Sequence, residues 1–450
     1  MDRASGDGRL AGGPELDGSL VSRSCELEDV SFGAVLEVDG HPRVQWATPH
    51  GLEAAGCGVA MRFETSGPDR FETVRSAAAD RLTALEHDGA PASRPRAFGG
   101  LSFHDSYDHD HDHDPAEPWQ GFAGASFVVP RVQVTRTDDG TWLTVVAESD
   151  AAAADALETW RTRFATLPSM RPSGSAPGID ATRRTTDREA WTDGVETALG
   201  RIEAGDLEKV VLALSLIADL ETPIDVAATL ERLRRRYPDC YRFMIDRGDD
   251  GIFFGAPPER LVAVHGDHVE TEALAGSVPR GETPVEDDTL VDRLCDSEKF
   301  QHEHRLVAET IRDQLEPLSS EVSVGERTVR RLATIQHLQT PIEATLSTDR
   351  HVLELVEALH PTPAVGGIPL SAAFETIREV ECFDRGWYAA PVGWFDADGN
   401  GEFAVGIRSG VATDDAVTLF AGNGIVADSD PGEEWEEVQL KFRPILDELR

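Results

Sequence analysis

Short alternating apolar runs in this chain break again and again at Asp-Gly and Gly-rich turns, and a chain that doubles back so often builds antiparallel sheets. SFGAVLEVDGHPRVQWA (31–47) breaks at Asp39-Gly40, which predicts a hairpin; a second is predicted at Asp250-Gly251, and residues 387–426 read as a meander of strands. Helical spacing is grouped apart from these, over 69–87, 151–166, 187–204, 224–236 and 291–317. A last helix starts at Asp430-Pro431, where Asp caps and Pro takes the first turn. The pattern predicts an α+β fold of large antiparallel sheets with flanking helices, not a doubly wound parallel sheet. Residues 1–25 are Gly- and charge-rich and are expected to be disordered, and MRPSGSAPG (170–178) reads as a boundary. It separates an N-terminal α+β region of the same fold (26–170) from a larger C-terminal region (179–450).

Charge narrows the function. With 82 Asp+Glu against 42 Lys+Arg, the 450-residue chain carries a formal net charge of −40, which repels phosphate backbones and anionic lipid. Neither nucleic acid nor membrane is an expected partner. Only Lys209, Lys299 and Lys441 are lysines, so 39 of the cationic residues are arginines. Acidic excess with lysine nearly purged is the expected composition of a protein adapted to concentrated salt, where repulsion is screened. The three surviving lysines therefore stand out. Five scattered cysteines without a C-x-x-C pair read as free thiols. Without a basic-then-apolar leader or a long apolar run, the expectation is a soluble cytoplasmic protein.

Three motifs resemble sites they do not build. Asp396-Ala-Asp398-Gly-Asn400-Gly401 matches the start of a calcium loop, but the position of its bidentate Glu is Ile407, so a hairpin turn is expected. Gly422-Asn-Gly424 follows a strand without the βαβ unit that a dinucleotide site needs. Alternating His and Asp in YDHDHDHD (107–114) could bind a transition metal, but an acidic loop insertion is the favoured reading.

Spacing brings other residues together. In the strand from 209, alternation puts Lys209, Val211, Ala213 and Ser215 on one face and Val210, Leu212, Leu214 and Leu216 on the other. A lysine there is either a snorkelling surface group or a functional one. Phe300, Glu303, Val307 and Ile311 share one helix face, so Glu303 sits in an apolar stripe and requires a cationic partner. Glu434, Glu437 and Lys441 share a face of the last helix, as a solvated ion pair or, together with Glu303, as carboxylates suited to Mg²⁺.

Read in order, Lys209-Val-Val-Leu, Gly255-Ala-Pro-Pro-Glu259, Leu274-Ala-Gly-Ser277, Ser297-Glu-Lys299, Glu303-His304, His360-Pro-Thr-Pro363, Gly406-Ile-Arg408, Ala421-Gly-Asn-Gly424 and Glu434-Trp-Glu-Glu437 resemble the chorismate-utilising enzymes, and within these the isochorismate synthases. The resemblance spans about 187–448, with Phe98-Gly-Gly-Leu-Ser-Phe103 as a weaker match in the N-terminal region. It implies chorismate as substrate, a Mg²⁺-dependent site and menaquinone biosynthesis, or siderophore biosynthesis, as the use of the product. By the same resemblance Lys209 is the general base that activates water for C2, and Glu259 the general acid at the C4 hydroxyl. Glu303, Glu434 and Glu437 are implied metal ligands, and Arg408 and Lys441 the cations for substrate carboxylates. Ala275, Gly276, Ser277, His337, Gly422 and Gly424 are implied substrate-binding residues.

Ammonia-using relatives resemble this chain less: they carry glutamine where Lys209 stands, and no glutamine amidotransferase nucleophile G-x-C-x-G occurs, so no such subunit is expected. The aminodeoxychorismate type has a lysine where this chain has Ala275. His337-Leu-Gln-Thr-Pro341 resembles isochorismate synthases more than salicylate synthases, which remain the nearest alternative. Leu214 and Pro257 depart from a common arginine and serine, and neither is a named catalytic group.

Overall fold

Lys209–Leu220, a twelve-residue run of mostly apolar side chains, is the strand around which the chain closes in the computed structural model. The structure describes residues 15–16, 18–28, 30–37, 41–105, 118–167 and 174–450. The strand pairs antiparallel with Ala416–Ile425, from Val210 opposite Ile425 to Asp219 opposite Ala416. Ile179–Arg184 covers its other edge, and Gly367–Ile368 its first residues. These belong to a thirteen-stranded sheet; a second sheet has ten strands. Among the described residues every pairing is antiparallel except that of Val21–Glu26 with Glu86–Asp88.

Both sheets draw on both parts of the chain. Arg43–Ala47 pairs with Arg242–Asp246 in the larger sheet, and Ala97–Leu101 with Pro391–Phe395 in the smaller. One core therefore spans them, with Trp46, Phe98, Phe127, Phe253 and Trp387 fully buried. The α+β expectation of large antiparallel sheets with flanking helices agrees with this architecture. The last helix, Pro431–Leu449, starts as read, with Asp430 accepting from the backbone N–H groups of Gly432 and Glu433. The 396–400 segment is a hairpin turn, its Asp396 Oδ1 accepting from Asp398 and Asn400 N–H. All five cysteines are free, and among the described residues no helix is long and apolar enough to cross a membrane.

Four expectations are corrected or moved. Residues 32–36 form a short helix, Phe32–Leu36, not the first strand of a hairpin. In so short a run the helical set Phe32, Val35, Leu36 is as good a match as alternation, and burial of that set decides. Arg43–Ala47 pairs instead with Glu53–Cys57, while Asp39-Gly40 lies outside the described residues. The segment expected to be disordered over 1–25 contains most of the strand Val21–Glu26, which is held between Gly140–Ala147 and Glu86–Asp88. The single helix expected over 291–317 is two, Pro284–Asp296 and Glu298–Leu315, because Ser297 between them takes extended backbone geometry. The His/Asp tract at 107–114 and the first part of the 170–178 boundary also lie outside the described residues.

A buried ion pair fastens the helix Leu370–Val380 to the central strand. Arg385 and Glu381 are 1% and 2% exposed and bidentate, at 2.9 and 2.5 Å. The guanidinium also donates to the carbonyls of Val365 (2.9 Å) and Val211 (2.7 Å), and Glu381 accepts from the N–H of Ala213 (2.8 Å). Arg385→Met strands a buried carboxylate, so urea denaturation is expected to show a loss of about 3–5 kcal/mol. Arg385→Met with Glu381→Met should recover part of that loss; equal losses in the single and double variants would refute the pairing's role.

Candidate active site

The strand register sets the floor of the site. Because Val211 lies opposite Gly424, the start of Lys209–Leu220 meets the end of Ala416–Ile425, and Lys209 faces a strand with no side chain in its way. A Cβ built on Gly424 would lie 2.8 Å from Glu303 Oε1 and 2.9 Å from Lys209 Cε, so only glycine leaves space for this pair. Lys209, 1% exposed, then reaches Glu303 across 2.9 Å. Glu303 comes from the helix Glu298–Leu315, which the break at Ser297 begins anew beside the pocket. Burial works against its charge, but Lys209 first, then Lys441 and Lys299, hold its carboxyl below the usual range. The cation required by the apolar stripe is thus Lys209.

The last helix closes the site from above. Glu434 is 5% exposed; its Oε1 lies 3.3 Å from Lys299 Nζ and its Oε2 accepts from Asn423 Nδ2 at 2.8 Å. Burial, then the charge of Glu437 one turn on, push its carboxyl up. Lys441 stands 3.1 Å from Glu437 and donates to the Gly422 carbonyl at 3.0 Å and to Asn423 Oδ1. All three lysines of the chain therefore line one pocket, each against a different glutamate.

The opposite wall comes from the smaller sheet. His268–Pro279 carries a bulge between Ala275 and Ser277, with Gly276 at φ +74° supplying the left-handed turn. Ser277 pairs with His337 across the sheet and shares a 3.1 Å hydrogen bond with its Nδ1. Burial, then the cations Arg408 and Lys441, hold the His337 imidazole well below its usual range, so it is neutral. Arg408 donates to its Nε2 at 3.4 Å. Arg408 itself is buried at φ +51°, a strained backbone for a non-glycine residue that aims the guanidinium inward.

Glu259 follows Ile252–Gly255 and is 4% exposed on the same pocket. Burial first, then the charge of Glu272, push its carboxyl up to about 8, against the pull of Lys209, Arg330 and Arg408. It is a protonated acid at neutral pH. Around one volume the site thus holds the cations Lys209, Lys299, Lys441 and Arg408, a neutral carboxylic acid and three carboxylates. Every residue singled out from the sequence lines it.

Two residues were missed. Lys299 stands out by lysine scarcity and belongs to a quoted motif, but neither signal assigns it a role in the site. Tyr388, buried on the pocket and stacked on Phe420 (5.2 Å, 25°), follows a loop that carries no periodic signal. Its neighbour Ala389 has φ +59°, which sequence does not announce.

The profile of the chorismate-binding enzyme family matches residues 15–450. The chain is 37% identical over 446 residues to the salicylate biosynthesis isochorismate synthase of Pseudomonas aeruginosa, covering 96% of this chain and 90% of that protein. It is 36% identical over 375 residues to the isochorismate synthase MenF of Bacillus subtilis, covering 81% and 76% respectively. The solved structure of the menaquinone-specific isochorismate synthase MenF from Escherichia coli superposes with a TM-score of 0.79 at 27% identity, covering 96% of this chain and 94% of that one. With the fold, the pocket and these likenesses in agreement, the chain belongs to the chorismate-binding enzyme family.

Proposed function

We propose that the protein is an isochorismate synthase, which adds water at C2 of chorismate and expels the C4 hydroxyl. The observation that carries this reading is a base and an acid on one pocket: Lys209 at its floor and Glu259 protonated up to about pH 8. Hydroxide leaves poorly, so the C4–O bond breaks as Glu259 donates its proton and the leaving group departs as water. Lys209, once the ammonium paired with Glu303 has given up its proton to solvent, takes the proton of the attacking water as the water oxygen bonds to C2 and the ring double bonds shift. One water enters and one leaves, and solvent carries the proton gained by Lys209 back to Glu259, so the net change is an isomerisation. Glu303, 2.9 Å from Nζ, holds Lys209 in place and partners the ammonium so formed. Arg408 spends one hydrogen bond on His337, which keeps donors for a substrate carboxylate. The identity to two proteins named isochorismate synthases supports the same reading, and the menaquinone-specific neighbour supports menaquinone formation as the use of the product.

The donor set fits Mg²⁺. Glu434 and Glu437 are carboxylates one turn apart; burial first and then repulsion by Glu437 raise Glu434, and a divalent cation relieves that repulsion. Among the described residues no three acidic, His or Cys side chains are grouped to hold a metal ion, so Glu434 and Glu437 would begin a coordination that water and substrate oxygens complete, with Glu303 joining as third ligand where its pair with Lys209 opens. Mg²⁺, when bound, supplies a hard positive charge against which a substrate carboxylate is held.

Incubation with chorismate, with and without Mg²⁺, followed by chromatography tests the proposal. Isochorismate that forms only with the metal is expected. Salicylate and pyruvate would replace it with the salicylate synthase reading, and unchanged chorismate would overturn both.

Lys209→Gln is expected to lower turnover by about 10² to 10⁴ while chorismate binding persists. Near-wild-type turnover in the folded variant would refute the base. For Glu259 the sign is set by its raised pKa: the acid keeps its proton below about 8 and loses it above. A pH profile of kcat/KM should therefore fall as pH rises through about 8. A profile that stays flat well past that point would remove Glu259 from the acid's role.

A further inference from the structure

We propose that Lys299 is a displaceable cover on the metal position: its ammonium sits on the Glu434 carboxylate and must leave before a divalent cation binds there. The proposal rests on the reading of Glu434 as a metal ligand. Both oxygens of this nearly buried carboxylate are already taken, Oε1 by Lys299 at 3.3 Å and Oε2 by Asn423 at 2.8 Å. Each oxygen keeps a second lone pair, so Asn423 can stay, but a divalent cation arriving at Oε1 meets the positive charge of Lys299 already beside it.

Asn423 is the fixed partner. It is 1% exposed, its amide also donates to the main-chain carbonyl of Glu434 at 3.1 Å, and its Oδ1 accepts from Lys441. Lys299 differs on each count. It is 24% exposed, stands in the first turn of its helix and reaches Glu434 through a flexible four-carbon stem. Two cations on one carboxylate repel, so arrival of the metal itself drives the ammonium off. The other two lysines are less free to move: Lys209 is 1% exposed, and Lys441 is held by three acceptors.

The residue type follows from the same chemistry. Arginine is the cation used almost everywhere else in this chain. At Glu434 its planar fork would grip the carboxylate with two hydrogen bonds and hold it, whereas an ammonium lets go.

Calorimetric titration of Mg²⁺ into the substrate-free protein tests this, with Glu434→Gln defining the background binding of the acidic surface. Lys299→Met is expected to tighten the Glu434-dependent binding about five- to tenfold, and Lys299→Arg to weaken it by a similar factor. Thermal melts would check that each variant is folded. Lys299→Met that binds Mg²⁺ no more tightly than wild type would overturn the proposal while leaving the metal reading standing. Wild type and Glu434→Gln that bind Mg²⁺ equally, with and without chorismate, would overturn the metal reading and the proposal with it.

Discussion

Pairing between Lys209–Leu220 and Ala416–Ile425 ties the middle of the chain to its end, and the site hangs from that register. A slip by one residue would turn Lys209 to the opposite face and replace Gly424 by a neighbour with a side chain. The same pairing positions the last helix, because only a short turn separates Ile425 from Asp430, whose cap fixes where the helix begins. Glu434, Glu437 and Lys441 are then carried over the pocket by helical spacing alone. Arg385 reinforces the arrangement from beneath, since it bonds to the carbonyl of Val211 and through Glu381 to the N–H of Ala213 on that strand.

Electrostatics divide the molecule in two. Outside the pocket, carboxylates outnumber cations, and many arginines form exposed ion pairs of small individual worth. Inside, cations and carboxylates alternate at hydrogen-bond distance in a desolvated volume, where each charge is felt more strongly. A dianionic substrate approaching so acidic a chain meets in the pocket the cations Lys299, Lys441 and Arg408. Against a net charge of −40, that local gathering of cations sets the pocket apart from the chain as a whole.

Much of this was legible in the sequence, for identifiable reasons. Long strands with strict alternation, such as that from Lys209, and a helix with a strong start, such as that at Asp430-Pro431, carry their own signals. Glu303 in an apolar stripe demanded a cation, and Lys209 meets it. Short elements were harder: Phe32–Leu36 satisfies both periods, and only burial against the sheet decides. The stop at Ser297 depends on a single residue whose side chain makes no cap, so spacing ran straight through it. Positive φ at Arg408 and Ala389 belongs to backbone closure between strands and has no local signature in residues other than glycine.

The gathering of all lysine into one pocket also changes what covalent chemistry can do to the protein. Besides its α-amino group, a reagent that acylates primary amines finds no target on the general surface of this chain. Its remaining targets are graded in access, from Lys299 at 24% through Lys441 at 19% to Lys209 at 1% exposed. Labelling, a nuisance in lysine-rich proteins, becomes here a footprint of one cavity, read lysine by lysine as its occupant comes and goes.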